Sequence, residues 1–321
     1  IIFVALTVFG LRDLIVRVIP KNLKIAISAS IGFFIAYLGF KNSGIGSFAN
    51  GIALGDITAP AVLLSIGGLL LMIVLNALNV KGAILISILA ITLIGIPCGV
   101  TQISGVAAVP DFSDLSSVML NFDLSNVFTA SGLILVFVCF FGDFFSTLGT
   151  VLAVAGRANM LDENGNLPGI ERPFLVDAIG TCVGALTGNT TVTTFVESTS
   201  GVEAGGRSGL TSLVTGVMFL LTVFLAPLFV AIPYCATGPA LIYVGFLMLK
   251  GFVDIDFSSF DECIAPCVML MFTAFTGSIT NGLGAGIIVH VLVKLVKGRA
   301  KDVHPIMYVL CALMVLYFIV G

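Results

Sequence analysis

Between Gly188 and Arg207 the chain reads Gly-Asn-Thr-Thr-Val-Thr-Thr-Phe-Val-Glu-Ser-Thr-Ser-Gly-Val-Glu-Ala-Gly-Gly-Arg, a polar stretch set among apolar runs of membrane-spanning character. Such a stretch cannot be a lipid-facing helix. At membrane depth an irregular backbone persists only where protein or a water-filled cavity satisfies its N–H and C=O groups. The Thr and Val alternation from Thr190 to Thr194 predicts a short extended piece, and Phe195 to Gly205 a short helix, so a broken element over 190–205 is expected at mid-membrane. A half-helix placed there turns its N–H groups and positive dipole end to the cavity, as in many secondary-transporter sites. Glu197 falls within the first turn of that half-helix. A carboxylate at such depth costs roughly 2.5–3.5 kcal/mol on insertion scales, which makes it a functional candidate.

The apolar runs fall at about 1–18, 23–45, 59–78, 80–97, 130–157, 174–187, 208–231, 237–252, 262–280, 283–297 and 304–320. A bilayer core of about 30 Å asks for roughly 20 helical residues, so the shorter runs are expected to tilt, pack inside or join. With 58% hydrophobic and 10% charged residues and a mean hydropathy of +1.18, the chain reads as an all-α polytopic membrane protein. Its net charge of −3 and thinly spread basic residues argue against a nucleic-acid partner. Cys263 and Cys267 stand at helical spacing without the companion ligands that a metal site needs. If Arg17, Lys21 and Lys24 face the cytoplasm, counting crossings places Lys81, Arg157, Arg172, Arg207, Lys250 and the cluster Lys294 to Lys301 there too, and Lys41 outside. The connection 98–129, with Asp111, Asp114 and Asp123, then becomes an outside loop.

An internal repeat is also visible. Ile19-Pro20 with Ile31-Gly32-Phe33 is matched by Ile232-Pro233 with Val244-Gly245-Phe246, and Ala59-Pro60 with Asn79-x-x-Gly82-Ala83 by Ala265-Pro266 with Asn281-x-x-Gly284-Ala285. Seven crossings separate the copies on this reading, an odd number, so they run in opposite directions as in inverted-repeat transporters. The region 130–205 has no upstream counterpart, and the chain opens at Ile1 inside an apolar run; earlier spans are expected to precede it.

Within the run 130–157, Asp143 sits among apolar residues with Ser146 and Thr147 one turn on. A hydroxyl stripe alone reads as helix packing, but an aspartate with no evident Lys or Arg in the apolar zone reads as a ligand or proton site. Asp143 and Glu197 are thus the candidates for proton coupling. Asn189, Thr193 and Thr194, with Thr190 and Thr191, offer donors and acceptors to a planar polar ligand, unless the threonines serve only one another's backbones. Glu203 and Arg207 read as a local ion pair, His290 as a packing residue, and Asp162 to Pro168 as turn chemistry whose spacing misses a calcium loop.

Five segments now stand out together: Gly142-Asp143-Phe144-Phe145-Ser146-Thr147-Leu148-Gly149-Thr150, Asp162-Glu163-Asn164-Gly165, Asp177-Ala178-Ile179-Gly180-Thr181, Thr193-Thr194-Phe195-Val196-Glu197-Ser198-x-x-Gly201-Val202-Glu203-Ala204-Gly205-Gly206-Arg207 and Val303-His304-Pro305-x-Met307-Tyr308. They resemble the AzgA-type purine permeases of the nucleobase/ascorbate transporter superfamily. The resemblance implies an inverted seven-plus-seven transmembrane repeat split into core and gate domains. On that plan 1–18 ends a fourth, core span, 23–97 is a first gate repeat, 98–129 an extracellular loop, 130–231 a second core repeat holding the broken helix 190–205, 237–297 a second gate repeat, and 303–321 a C-terminal hydrophobic helix.

The resemblance further implies a secondary active transporter, not an enzyme, that imports hypoxanthine, guanine or adenine with protons by an elevator-like movement of core against gate. Asp143 matches the family's carboxylate on the eighth span and Glu197 its purine-binding carboxylate on the tenth; Asp143, Thr147, Asn189, Thr193, Thr194 and Glu197 are the expected substrate contacts. Ser146 stands where many relatives carry a second acid. No cofactor or metal is expected; the partners are a purine nucleobase, a proton and the lipid of the plasma membrane, with a homodimer left open. An anion transporter of the same architecture is opposed by Glu197 at a helix start. An intramembrane aspartyl protease needs a second mid-membrane aspartate preceded by tyrosine.

Overall fold

The computed structural model describes every residue except 1–3, 5, 6, 8, 9, 49–52, 111, 112, 114–117, 123, 124, 164, 190 and 321. Thr190, Asn164 and the loop acids Asp111, Asp114 and Asp123 therefore lie outside the described residues. The apolar runs are helices: α1 (Leu11–Val18), α2 (Lys21–Asn42), α3 (Pro60–Ala77), α4 (Ala83–Gly95), α5 (Ala130–Arg157), α6 (Glu171–Leu186), α7 (Ser198–Glu203), α8 (Gly209–Phe224), α9 (Ala226–Val230), α10 (Tyr234–Met248), α11 (Phe260–Thr276), α12 (Ile279–Val296) and α13 (Pro305–Val320). Among them α2, α3, α5, α12 and α10 with its extension to Asp254 are long and apolar enough to cross a bilayer.

Local chemistry sets the ends. Pro60 opens α3 where its missing N–H is no loss. Thr129 caps α5, its hydroxyl accepting from the Gly132 N–H at 3.1 Å, and Gly277 closes α11 at a φ of 58°. The run 208–231, read from sequence as one span, divides into α8 and α9 because Pro227 cannot supply the N–H that would continue the helix. A short antiparallel pair, Gly46–Ser47 with Ala53–Leu54, departs from the all-helical expectation.

The helices gather in two compact units. One comprises Gly32–Asp111 and Ala204–Leu247. In it Ser87 of α4 donates to the Gly68 carbonyl of α3 at 2.8 Å, and Gly39 of α2 faces the Gly238 carbonyl of α10 so closely that a Cβ would stand 2.7 Å from it. Small residues at such crossings let backbones meet where apolar burial gives no drive between helices.

The other unit comprises Ile1–Ile31, Phe112–Glu203 and Met248–Gly321. Its spine is α5. Phe144, Phe145 and Leu148 of α5 are fully buried with Phe174 of α6, and Ser28 of α2 donates to the Gly149 carbonyl at 3.3 Å. A Cβ on Gly149 would stand 2.1 Å from Ile31, so α2 and α5 touch there. Gly282 and Gly286 likewise bring α12 onto Met269 and Thr273 of α11, and Tyr317 of α13 donates to Asn281 at 2.8 Å.

Candidate functional site

Asp143 and Thr147 lie one turn apart on α5, facing the interior of their unit; Asp143 is 9% exposed and Thr147 fully buried. After α6, Gly188 reverses the chain at a φ of 75°, and residues 191–195 run without regular secondary structure. Alternation along this extended run sends Thr191 and Thr193 to the same side. Thr191 donates to Asp143 Oδ1 at 2.9 Å, the Thr193 and Thr147 hydroxyls meet at 2.9 Å, and Thr147 donates to Asp177 Oδ1 on α6 at 2.9 Å. The Thr181 hydroxyl, one turn on from Asp177, lies 2.9 Å from that of Thr191. Side chains of α5 and α6 thus hold a segment that has no strand partner among the described residues.

Beneath this layer α1 contributes Arg12. Its Nη2 lies 3.2 Å from Asp177 Oδ2, and its Nη1 donates to the Phe174 carbonyl at 3.0 Å and to Thr7 Oγ1 at 3.3 Å. The guanidinium also stands 4.3 Å from the Phe174 ring centroid and 5.3 Å from that of Phe144. A planar, weakly hydrated cation suits such a site better than a compact ammonium, because it can stack and pair at once. Asp143 is within Coulombic range of both Arg12 and Asp177 but makes no ion pair among the described residues.

The residues expected from sequence divide into two groups. Asp143, Thr147 and Thr193 are brought together. Thr194 is half-buried, and its hydroxyl oxygen, like Asp143 Oδ2, is buried with no hydrogen-bond partner among the described residues. Asn189 stays exposed outside the cluster, its amide donating to Thr187 at 3.4 Å. Glu197 is exposed and precedes α7, which begins at Ser198 rather than Phe195 and is six residues long. So short a helix carries little of the dipole invoked for a half-helix. Glu203 at its end lies 3.7 Å from Arg157.

Sequence reasoning missed Arg12 and Asp177, and its expectation of no base in the apolar zone is corrected by Arg12, which is 1% exposed. A second buried aspartate does exist, although Val176 and not tyrosine precedes it, and it is paired with a cation rather than with Asp143. The signal available was one acid and one base, each placed within an apolar segment far apart in the chain.

Among the described residues five helices are long and apolar enough to cross a bilayer, and the match to a permease family makes the chain a membrane transporter, not an enzyme. The permease family Xan_ur_permease matches residues 1–284, and the chain belongs to that family. It is 39% identical to MJ0326 of Methanocaldococcus jannaschii over 322 residues, 99% of this chain and 73% of that protein. The guanine/hypoxanthine permease PbuG of Bacillus subtilis is 37% identical over 325 residues, covering 99% of this chain and 73% of its own. For the adenine permease AdeQ of Escherichia coli the figures are 36% over 317 residues, 98% and 71%.

Proposed function

We propose that this permease imports purine nucleobases with protons across the plasma membrane. Relatives named for guanine, hypoxanthine and adenine support the purine class. The observation that carries the site is Asp143, a buried carboxylate with one oxygen held by Thr191 and the other, Oδ2, unpartnered among the described residues. The coupled proton loads Oδ2 from outside, the protonated acid then donates to a ring acceptor of the purine, and proton and substrate are released together inside before the empty site returns. A buried acceptor left unmade is costly, so joint occupancy by proton and substrate is favoured. The Thr194 hydroxyl offers a second contact, Thr147 and Thr193 shape the floor, and Glu197 with Asn189 joins when the segment from Gly188 to α7 closes over the ligand.

Transport proceeds by movement of a core, residues 1–18 and 130–231, against a gate, residues 23–97 and 237–297, related by inverted repeats. Helix order supports this: Ile19-Pro20 leads into α2 and then the hairpin α3–α4, as Ile232-Pro233 leads into α10 and then α11–α12. These functional divisions cut across the compact units, since α11 and α12 belong to the same unit as α5. The basic loops face the cytoplasm.

The test is uptake of radiolabelled hypoxanthine, guanine, adenine, uracil and sulfate by the full-length protein in cells without their own permeases, with and without a protonophore. Purine uptake that collapses with the protonophore, and in Asp143→Asn and Glu197→Gln, is expected. Uptake of sulfate or uracil instead, or two variants that transport normally, would overturn the reading.

A further inference from the structure

The direction of each hydrogen bond in the buried layer follows from its ends. Arginine has only donors to offer and a carboxylate only acceptors. Asp177 takes Arg12 on Oδ2 at 3.2 Å and the Thr147 hydroxyl on Oδ1 at 2.9 Å. The single Thr147 proton is thereby committed, so any proton at the 2.9 Å contact comes from Thr193, whose hydroxyl is also within reach of Asp177. A second chain runs beside the first: Thr191 donates to Asp143, so Thr181 donates to Thr191. Both chains tie the extended segment to helices, and both end on a carboxylate. One carboxylate is saturated by a buried arginine; the other keeps an oxygen unpartnered among the described residues.

We infer that Arg12 is a positioning residue of the transport site, acting through Asp177 and Thr147 to lock residues 191–195 against α5. With Asp177 held as a carboxylate, Thr147 and Thr193 can donate in one direction only, and the groups left over for a ligand are Asp143 Oδ2 and the Thr194 hydroxyl. Without Arg12, an uncompensated buried carboxylate remains, and Thr147 is released to bond its own helix one turn back, as interior threonines do. The segment then loses the Thr193 tether. A buried ion pair is weak evidence for stability, since an apolar pair of similar volume often serves as well; specifying one arrangement of a segment without strand partners is a reason to keep it. The inference rests on the proposed function only for what the locked segment binds, not for the lock itself.

The experiment therefore has two arms. In the first, Val196→Cys, at a site 3% exposed beside the segment, is placed in a full-length background whose native cysteines are replaced, and its alkylation rate is read with a maleimide. Arg12→Gln and Thr147→Val are each expected to raise that rate by about tenfold or more, and Arg12→Lys, which keeps the charge but not the fork, by less. In the second arm, Arg12→Gln raises KM for purine uptake by about tenfold at equal membrane abundance, with partial rescue in Arg12→Lys. Alkylation unchanged in Arg12→Gln overturns the inference, whatever Thr147→Val shows. If Arg12→Gln does not reach the membrane, Thr147→Val decides, because it retains shape and both charges. Should the wild type carry no purine, the proposed function fails while the alkylation arm still judges the lock.

Discussion

Two groups of charges in the same unit make contacts of similar length in different surroundings. Arg12 and Asp177 are 3.2 Å apart with 1% and 0% of their side chains exposed. At the ends of α11 and α12, Lys297 and Arg299 reach Asp261 at 2.9 and 3.1 Å with 45% and 56% of their own side chains in solvent, and Lys294 reaches Glu262 at 2.7 Å. Distance alone would rank the second group as the stronger. Coulomb energy, however, scales inversely with the effective dielectric, and Lys297 and Arg299, half in solvent, trade part of it away to water and salt although Asp261 itself is buried. The buried pair cannot, so each of its charges depends on the other and on the rings and hydroxyls around it. The group at the ends of α11 and α12, whose cations Lys297 and Arg299 reach water, tunes those ends, whereas the fully buried pair dictates the arrangement of its neighbours.

The sharpest way to break this contrast is to remove one charge from the buried pair. Arg12→Gln is expected to destabilise the protein by about 3–5 kcal/mol in thermal unfolding, and Arg12→Met with Asp177→Leu to regain most of it. Equal losses in the single and the double variant would show that the pair itself stabilises. Next in size is Asp143→Asn, which keeps the Thr191 contact but replaces a charged acceptor. It should lower purine uptake by about 10- to 100-fold, the equivalent of about 1.5–3 kcal/mol, with little change in unfolding temperature.

The second region is sharpened by asking what holds its helices. A Cβ on Gly282 would stand 1.8 Å from Thr273 Oγ1 and 2.6 Å from the Met269 carbonyl. Gly282→Ala should therefore cost about 1–3 kcal/mol by forcing α11 and α12 apart, more than any exposed charge nearby. Glu203→Gln, which removes the 3.7 Å contact with Arg157, should change stability by less than about 1 kcal/mol, and the change should disappear in high salt.

The smallest effect lies in the loops ahead of α3 and α11. The Ser258 hydroxyl and N–H both donate to Asp256 Oδ1, as those of Thr58 do to Asp56, and these bonds hold both carboxyls below the usual range. A depressed folded-state pKa contributes stability that is complete above the unfolded value of about 3.9 and is lost as pH falls through the folded value. Asp256→Ala should remove that acid-side loss in an unfolding series from neutral pH to about pH 3, leaving the rest of the pH profile unchanged.

Much of the helical frame was legible residue by residue. Hydropathy placed α2, α5 and α12 within a few residues, and the polar stretch after Gly188 marked where a helix had to stop. Asp143 was legible because an acid in an apolar run is rare enough to stand alone. Asp177 carries no such signal, since it lies near the start of its apolar run, where an acid is unremarkable. Arg12 gave no such signal because Asp13 stands next to it in the chain and offers a local partner. The exposure of Glu197 was hidden for the opposite reason: its motif is local, but burial is a property of what packs against it.

Hydropathy, proline and glycine act over a few residues, so the sequence by itself determined which segments are apolar helices, roughly where most of them end and which segment must be irregular. Only the tertiary structure decided that Arg12 meets Asp177 across 165 residues of chain, that two threonine chains end on two different carboxylates, and that Asp143 keeps an oxygen unpartnered among the described residues. Those choices are made by packing and by a low dielectric, which reward a charge for its neighbours in space and are blind to its neighbours in sequence.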